Sequence, residues 1–417
     1  MPFQRVIQAL SLAFFIVLML LAAFPLISPI PVDLFLRLDP VIFLGTWLSA
    51  RAAVTSLLLA ALILALTAAL GRFFCSTICP MGTTIDLTDR LILSKGKKNR
   101  SPRALPRSLK TIKYQILLFI LGAALVGVSF VFLASPISLI TRFYGLIIYP
   151  FAMLLGDAGL SMIRPVARYL DIPALAYAEV ATPRFALQWF TVFLFIGICA
   201  CAIISPRFWC RYLCPAGAFF ALFSLKPLMR RKVSQGCNSC GLCQQNCPMD
   251  AIPEDPFMTD YSECIVCETC VRICPARAVV FAGPNLKTDR PVNIFSQERR
   301  ALICSGLSGV AAAIVTLTGL NYFTGGNSPG KITDPSVIRP PGALPEDEFL
   351  ARCIRCGECM KACPTNTLQS IGMRAGFTAL LSPVITPRRG PCEPLCNVCG
   401  QDTIRQDLQP KPVKIFR

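Results

Sequence analysis

The sequence predicts a mainly α membrane protein of four to five transmembrane helices with a two-fold internal repeat, joined to small α+β cysteine-rich domains. Three observations predict it: long apolar runs, a cysteine motif that occurs twice beside them, and twelve cysteines in three copies of one crowded spacing. Of the 417 residues, 54% are hydrophobic and 15% charged, and the mean hydropathy is +0.58. Insertion in a lipid bilayer explains so apolar a chain of this size. The formal net charge is +18. Its cations gather beside apolar runs, so they read as orientation signals and not as a nucleic-acid surface. Histidine is absent, which excludes histidine-held haem, blue copper, histidine-held zinc and imidazole acid–base catalysis.

Four runs have about the 20 apolar residues that a hydrocarbon core of about 30 Å needs: Val6 to Leu26, Ala52 to Leu70, Tyr114 to Ala134 and Phe185 to Ile204. The first lacks a clear small-residue cleavage site, so it reads as an anchor and not a signal peptide. Between the second and third runs lie Arg90, Lys95, Lys97, Lys98, Arg100, Arg103, Arg107, Lys110 and Lys113. The positive-inside rule places this loop in the cytoplasm of an inner-membrane protein, with the N-terminus on the same side. Phe143 to Ile163 is apolar but interrupted by Pro150 and Asp157, and is expected to be interfacial or re-entrant. A fifth apolar run, Ala301 to Leu320, follows Arg299 and Arg300 and is read as a further span behind a twin-arginine-like signal, or as a packed soluble helix.

The repeat is written in Gly71-Arg-Phe-Phe-Cys75-Ser-Thr-Ile-Cys79-Pro-Met-Gly82 and Pro206-Arg-Phe-Trp-Cys210-Arg-Tyr-Leu-Cys214-Pro-Ala-Gly217. Each copy closes an apolar run, and Asp39-Pro40 and Ser135-Pro136 sit at matching places upstream. Residues 1–233 therefore read as two helix pairs of common ancestry, with an insertion in the second. Cysteines four apart share a helix face, so Cys75 with Cys79 and Cys210 with Cys214 could together form a four-sulfur metal or cluster site. Disulfides or plain packing are the alternatives. Cys199, Cys201 and Cys304 have no partner at ligand spacing and read as packing residues.

The crowded spacing is C-x2-C-x2-C-x3-C-P: Cys237, Cys240, Cys243, Cys247; Cys264, Cys267, Cys270, Cys274; and Cys353, Cys356, Cys359, Cys363. This is the bacterial ferredoxin run for [4Fe-4S] clusters, whose fourth cysteine serves the neighbouring cluster. Structural zinc is the blander reading, but it uses separated pairs. The exchange rule assigns Cys237, Cys240, Cys243 and Cys274 to one cluster, and Cys264, Cys267, Cys270 and Cys247 to the other, within a domain of residues 234–290. A segment 291–324 and a Gly/Pro-rich linker 325–350 lead to a second domain, 351–417. There Cys363, Cys392, Cys396 and Cys399 could hold one cluster, leaving Cys353, Cys356 and Cys359 with an incomplete one, because Thr403 stands where a fourth cysteine is expected.

The two R-F-x-C-x3-C-P motifs followed by paired ferredoxin runs resemble the NapH-type membrane ferredoxins, which are related to NosR-type and CcoG-type proteins. From Arg299, the twin arginines, apolar helix and Arg339-Pro-Pro-Gly342 ahead of Cys353 resemble the start of a NapG-type ferredoxin. The resemblance implies a quinol dehydrogenase-like subunit that draws electrons from the quinone pool and passes them to a periplasmic reductase. It implies a cytoplasmic first ferredoxin domain and a periplasmic C-terminal one. The alternatives are a metal-reducing assembly factor for oxidase maturation and a NosR-like redox regulator. No Ser-His-Asp set, phosphate loop or paired-carboxylate site stands out, and Glu346, Asp347 and Glu348 read as a solvated helix start.

Overall fold

The structure is a computed structural model that describes residues 3–22, 30–51, 58–94, 106–177, 180, 182–283, 311, 314, 337–393 and 396. Its first half is a helix bundle: α1 (Phe3–Leu21), α2 (Pro40–Ala50), α3 (Leu58–Leu70), α4 (Pro80–Ser94), α5 (Ile112–Leu125), α6 (Pro136–Phe143), α7 (Tyr149–Tyr169), α8 (Gln188–Ala200) and α9 (Pro215–Phe223). Helix α1 to α4 in the first half correspond to α5, α6, α8 and α9 in the second, with α7 as the insertion. The equivalence is physical as well as sequential. Asp39 and Ser135 are the N-caps of α2 and α6, each followed by proline at the first helical position, where its missing amide costs nothing. The two caps touch each other: Ser135 Oγ donates to Asp39 Oδ2 at 2.7 Å, and both residues are buried.

One apolar core, which includes Phe15, Ile42, Phe74, Phe130, Ile137 and Phe220, runs through the bundle. Among the described residues, two helices are long and apolar enough to cross a bilayer, Gln4–Leu21 and Pro136–Tyr169, whereas Pro40–Ala50, Leu59–Leu70 and Gln188–Ile203 are apolar but shorter. The second long helix differs from the sequence reading, which expected an interrupted, re-entrant segment over 143–163. A π-helical turn at Tyr144–Ile148 lies immediately before Pro150 and carries the helix through without a break. The wider turn relieves the clash that proline imposes on a regular α-helix. The fifth apolar run lies outside the described residues, apart from positions 311 and 314.

Two small cysteine-rich domains complete the chain. The middle one is closed by β1 (Arg230–Val233) pairing antiparallel with β2 (Val279–Ala282), from Arg230 opposite Ala282 to Val233 opposite Val279. The C-terminal one holds α10 (Glu346–Arg352), α11 (Glu358–Ala362) and an antiparallel pair, β3 (Leu368–Ser370) with β4 (Pro383–Ile385). The sequence placed Arg339 in a linker, yet it belongs to this domain. It forks onto Glu346, donates to Ser382 Oγ and Pro383 O, and stacks on Phe349. Glu346 is thus an ion-pair partner as well as part of an acidic first turn.

The two domains dock at opposite ends of the bundle. Helix α5 carries Lys113 in its first turn, bound to Glu263 of the middle domain, while Phe130 beyond its last turn packs 5.8 Å from Phe377 of the C-terminal domain. The 19 residues of α1 span about 28 Å. Its Gln8 donates to Ser76 O beside the first cysteine motif, and its last carbonyls, at Met19 and Ala22, accept from Lys361 of the C-terminal domain.

Candidate iron–sulfur sites

The repeated motif does not form one continuous helix. Cys75 sits in the short turn Phe73–Thr77 and Cys210 in a π-helical turn, Trp209–Leu213. Cys79 and Cys214 stand directly before Pro80 and Pro215, at the starts of α4 and α9. A residue ahead of proline is driven out of the helical region, and Cys214 has φ −70°, ψ 111°. Each pair therefore straddles a helix break, where sequence reasoning expected a shared helix face. The break turns the second thiol inward: Cys214 Sγ accepts from Gly217 N at 3.3 Å. The glycine that ends each motif keeps this turn tight. A Cβ at Gly82 would stand 2.7 Å from Cys75 O, and one at Gly217 2.9 Å from Arg72 Nη2.

These turns bring all four cysteines around one cavity, lined by Cys75, Cys79, Cys210 and Cys214 with Asp39, Pro136, Arg72 and Trp209 among their neighbours. Among the described residues no three Cys, Asp or Glu side chains converge as a single metal ion would require. The four thiols surround a space, as holding a metal or a cluster would require.

A second cavity is lined by Cys247, Cys264, Cys267 and Cys270, so the structure brings together the exchanged set of the ferredoxin rule. Burial pushes the Cys264 thiol up, and Cys267, Cys247 and Cys270 push it further. Iron offsets this mutual repulsion of the thiolates when it takes them as ligands. Cys247 Sγ accepts from Ala251 N at 3.3 Å and Cys274 Sγ from Ala278 N at 3.4 Å, the same thiol-before-proline device as Cys214. The β-ladder continues with Ser234 N donating to Ala278 O, which sets Cys237 and Cys274 at one end of the domain with Cys240 exposed. The two cavities adjoin: Met249, Ala251 and Ile265 pack against Cys75 and Cys210 on one side and Cys247, Cys264 and Cys267 on the other.

A third cavity is lined by Cys363, Cys392 and Cys396. Cys399, expected as its fourth ligand, lies outside the described residues, as do Thr403 and Cys304. Cys356 is buried in the bundle core and Cys359 is buried against Leu146 and Phe185, whereas Cys353 packs in the domain's own core with Phe349 and Leu350. Two buried arginines test whether an anionic cluster fits there. Arg142 of α6 donates to Phe132 O at 2.7 Å, and Arg355 donates to Thr378 O and lies 3.8 Å above the Phe132 ring. Arg142 Nε and Arg355 Nε and Nη1 are buried without a hydrogen-bond partner. Cys353 lies within electrostatic reach of both. Glu346 also lies within electrostatic reach of Arg355 but is bound by Arg339, so an anionic group on these cysteines fits the site.

Carboxylates hold the middle domain to the bundle. Glu263, buried and adjacent to Cys264, is bound by Lys113 and stands 3.6 Å from Arg72. Burial alone would raise its pKa, but Lys113 and Arg72 overcome that and hold the carboxyl below its ordinary value. Asp250 meets Arg211 and Lys110, each at 3.2 Å. Sequence reasoning read Lys113 only as an orientation charge and Arg72 only as a letter of the repeated motif, and passed over Arg142 and Glu263. The available signal was a cation within or bordering an apolar run, which is costly unless it has a partner.

The comparisons agree with this geometry. A family model described as a 4Fe-4S binding domain matches residues 52–101 and again 187–234, the two copies of the repeat, and a second 4Fe-4S binding domain model matches 350–369. The chain is 29% identical over 238 residues to the putative electron transport protein YccM of Escherichia coli, covering 56% of each chain. It is 38% identical over 119 residues to the methylamine utilization ferredoxin-type protein MauM of Methylorubrum extorquens, 27% of this chain and 52% of that one. Over 77 residues it is 35% identical to the ferredoxin-type protein NapG of Escherichia coli, 17% of this chain and 33% of that one. The chain thus spans about half, or less, of these relatives. No solved structure matches. The chain is an iron–sulfur protein that binds [4Fe-4S] clusters.

Proposed function

We propose that this chain is a membrane-bound electron carrier that takes electrons from quinol, or from a donor on the side of the middle domain, and delivers them on the side of the C-terminal domain to an acceptor such as a periplasmic reductase. The observation that carries the reading is the four-cysteine cavity between two cysteine-rich domains docked at opposite ends of one helix bundle. A hydrocarbon core of about 30 Å separates the two ends of such a bundle in a bilayer. The [4Fe-4S] clusters supply reversible one-electron uptake and release when bound. The protein's part is to hold, order and shield them. Cys75, Cys79, Cys210 and Cys214 would hold one within the bundle, while Met249 and Ile265 close the gap to the middle domain and exclude water. On the far side, Ser49 Oγ donates to Ala351 O at 2.6 Å and Ser138 Oγ to Ile354 O at 2.8 Å, seating Cys353 and Cys356 against α2 and α6.

The basic loop over Arg90 to Lys113 favours an inner membrane with the middle domain in the cytoplasm. The names of YccM, NapG and MauM favour electron transport over a structural role. The test is the purified protein in liposomes. Added quinol should bleach the cluster absorbance, and an impermeant thiol reagent should reach Cys353 and Cys240, after cluster removal, from opposite faces. Clusters indifferent to quinol and to small donors alike, or labelling of both cysteines from one face, would sink the proposal.

A further inference from the structure

We propose that Arg72 raises the reduction potential of the four-cysteine centre as a fixed positive charge, a role its repeat counterpart Arg207 does not share. The inference rests on the reading of Cys75, Cys79, Cys210 and Cys214 as a cluster site and deepens it by naming the residue that tunes that site. The two arginines hold the same place in the motif, and both are buried. Their charges are answered differently. Arg207 also reaches the motif, its Nη1 donating to Cys75 O at 3.4 Å, but it grips Asp86 with Nε to Oδ1 at 2.5 Å and Nη2 to Oδ2, so one carboxylate answers one cation. Arg72 has no carboxylate of its own. Its Nη1 donates to Ser262 O at 2.5 Å and stands 3.6 Å from Glu263 Oε2, and Glu263 is already bound by Lys113. Two cations share one anion, which leaves one positive charge over.

That charge faces the cysteines. Arg72 lines the cavity with all four of them, its Nη2 faces Gly217 in the turn below Cys214, and its Nε is buried without a hydrogen-bond partner. An electron arriving at the centre adds negative charge. A cation fixed in the cavity wall, poorly screened at this depth, therefore favours the reduced form. Glu263 acts in the opposite sense from the far side of the guanidinium.

The test is a redox titration of the full-length, cluster-loaded protein in detergent, followed by electron paramagnetic resonance. The signal of interest is the one that disappears in Cys75→Ser/Cys79→Ser. Arg72→Gln should shift the equilibrium for its reduction roughly tenfold or more toward the oxidised form, by Coulomb's law at an effective dielectric of about 20. Arg72→Lys should restore most of that, and Glu263→Gln should move it the other way. Removal of the matched pair in Arg207→Gln/Asp86→Asn should leave it close to the parent. A merely structural role would lower occupancy in Arg72→Gln and Glu263→Gln alike without shifts of opposite sign. If Arg72→Gln does not fold, an upward shift in Glu263→Gln with Arg72→Lys unchanged supports the proposal, and no shift overturns it. A centre present in the parent protein but indifferent to Arg72→Gln and Glu263→Gln overturns the inference alone. A parent protein with no signal that depends on Cys75 and Cys79 overturns the cluster reading and the inference together.

Discussion

The middle and C-terminal domains carry the same cysteine spacing, and each docks beside its cysteines, but with opposite electrostatics. The middle domain presents carboxylates, Glu263 to Lys113 and Arg72, and Asp250 to Lys110 and Arg211, so its contact is a set of ion pairs. The C-terminal domain presents cations. Lys361, lying between Cys359 and Cys363, gives its ammonium to the last carbonyls of α1 and stacks on Tyr149, and Arg355 joins Arg142 around Phe132. At the first contact every one of these cations has a carboxylate within 4 Å, although Lys113 and Arg72 share theirs. At the second, the buried cations of Arg142 and Arg355 call for an anion, and the cysteines beside them are where a cluster would supply it. One domain should therefore stay docked without iron while the other should not.

Removal of iron should give the largest effect, because it tests that asymmetry directly. Chelation under reducing conditions is expected to raise hydrogen exchange strongly across α6 and residues 353–363, where Arg142 and Arg355 lose their counter-charge. Exchange around Lys113 and Ser262 should change far less. Equal loosening at both ends would break the comparison.

Glu263→Ala should reverse the order of sensitivity. It leaves Lys113 and Arg72 buried without an anion, a loss of about 3–5 kcal/mol for a broken buried pair, and limited proteolysis should then release the middle domain first. Acid should do the same more gradually. The folded carboxyl titrates below its ordinary 4.5, so its contribution is fully present above that value and is lost as the pH falls through the lowered one. Release that begins well above pH 4.5 would point to a different group.

The parts legible in the sequence were those that a local spacing specifies. The three cysteine runs, the repeat and its Asp39/Ser135 counterparts all lie within short stretches of chain, and the structure assembles the two Cys-x3-Cys copies around one cavity. What was not legible depends on distant partners or on backbone detail. Nothing in the sequence near Arg142 indicates that Phe132 O and Cys353 will surround it, and Lys361 gives no sign that α1 ends within its reach. The continuous helix through Pro150 was missed because a π-turn is set by hydrogen-bond register and not by composition. The Cys-x3-Cys pairs were expected on one helix face because periodicity was followed through Pro80 and Pro215, where proline drives the preceding cysteine out of the helical region and starts a new helix.

Lys361→Met keeps the apolar stem and removes the ammonium, so it probes the C-terminal contact without opening a cavity. Met19 O and Ala22 O then lose a charged donor at the end of α1, worth about 1.5–3 kcal/mol. The denaturation midpoint of the loaded protein should fall, and Cys359 should become accessible to alkylation earlier than Cys267. Protection of Cys359 equal to that in the parent would mean that Arg355 and the serine contacts suffice.

Lys110→Ala should have the smallest effect, and its salt dependence is the informative part. Asp250 is about a third exposed and already meets Arg211, which is fully buried. Lys110 therefore adds an outer charge to a pair that stands without it, worth about 0.2–1 kcal/mol before screening. Raising the salt concentration past about 0.15 M, where the screening length is about 8 Å, should erase the difference between Lys110→Ala and the parent. It should leave the effect of Glu263→Ala in place, because buried charges are screened much less. A Lys110→Ala defect that persists in high salt would mean that the middle domain leans on its rim and not on its buried carboxylate, and the contrast between the two interfaces would have to be redrawn around Asp250.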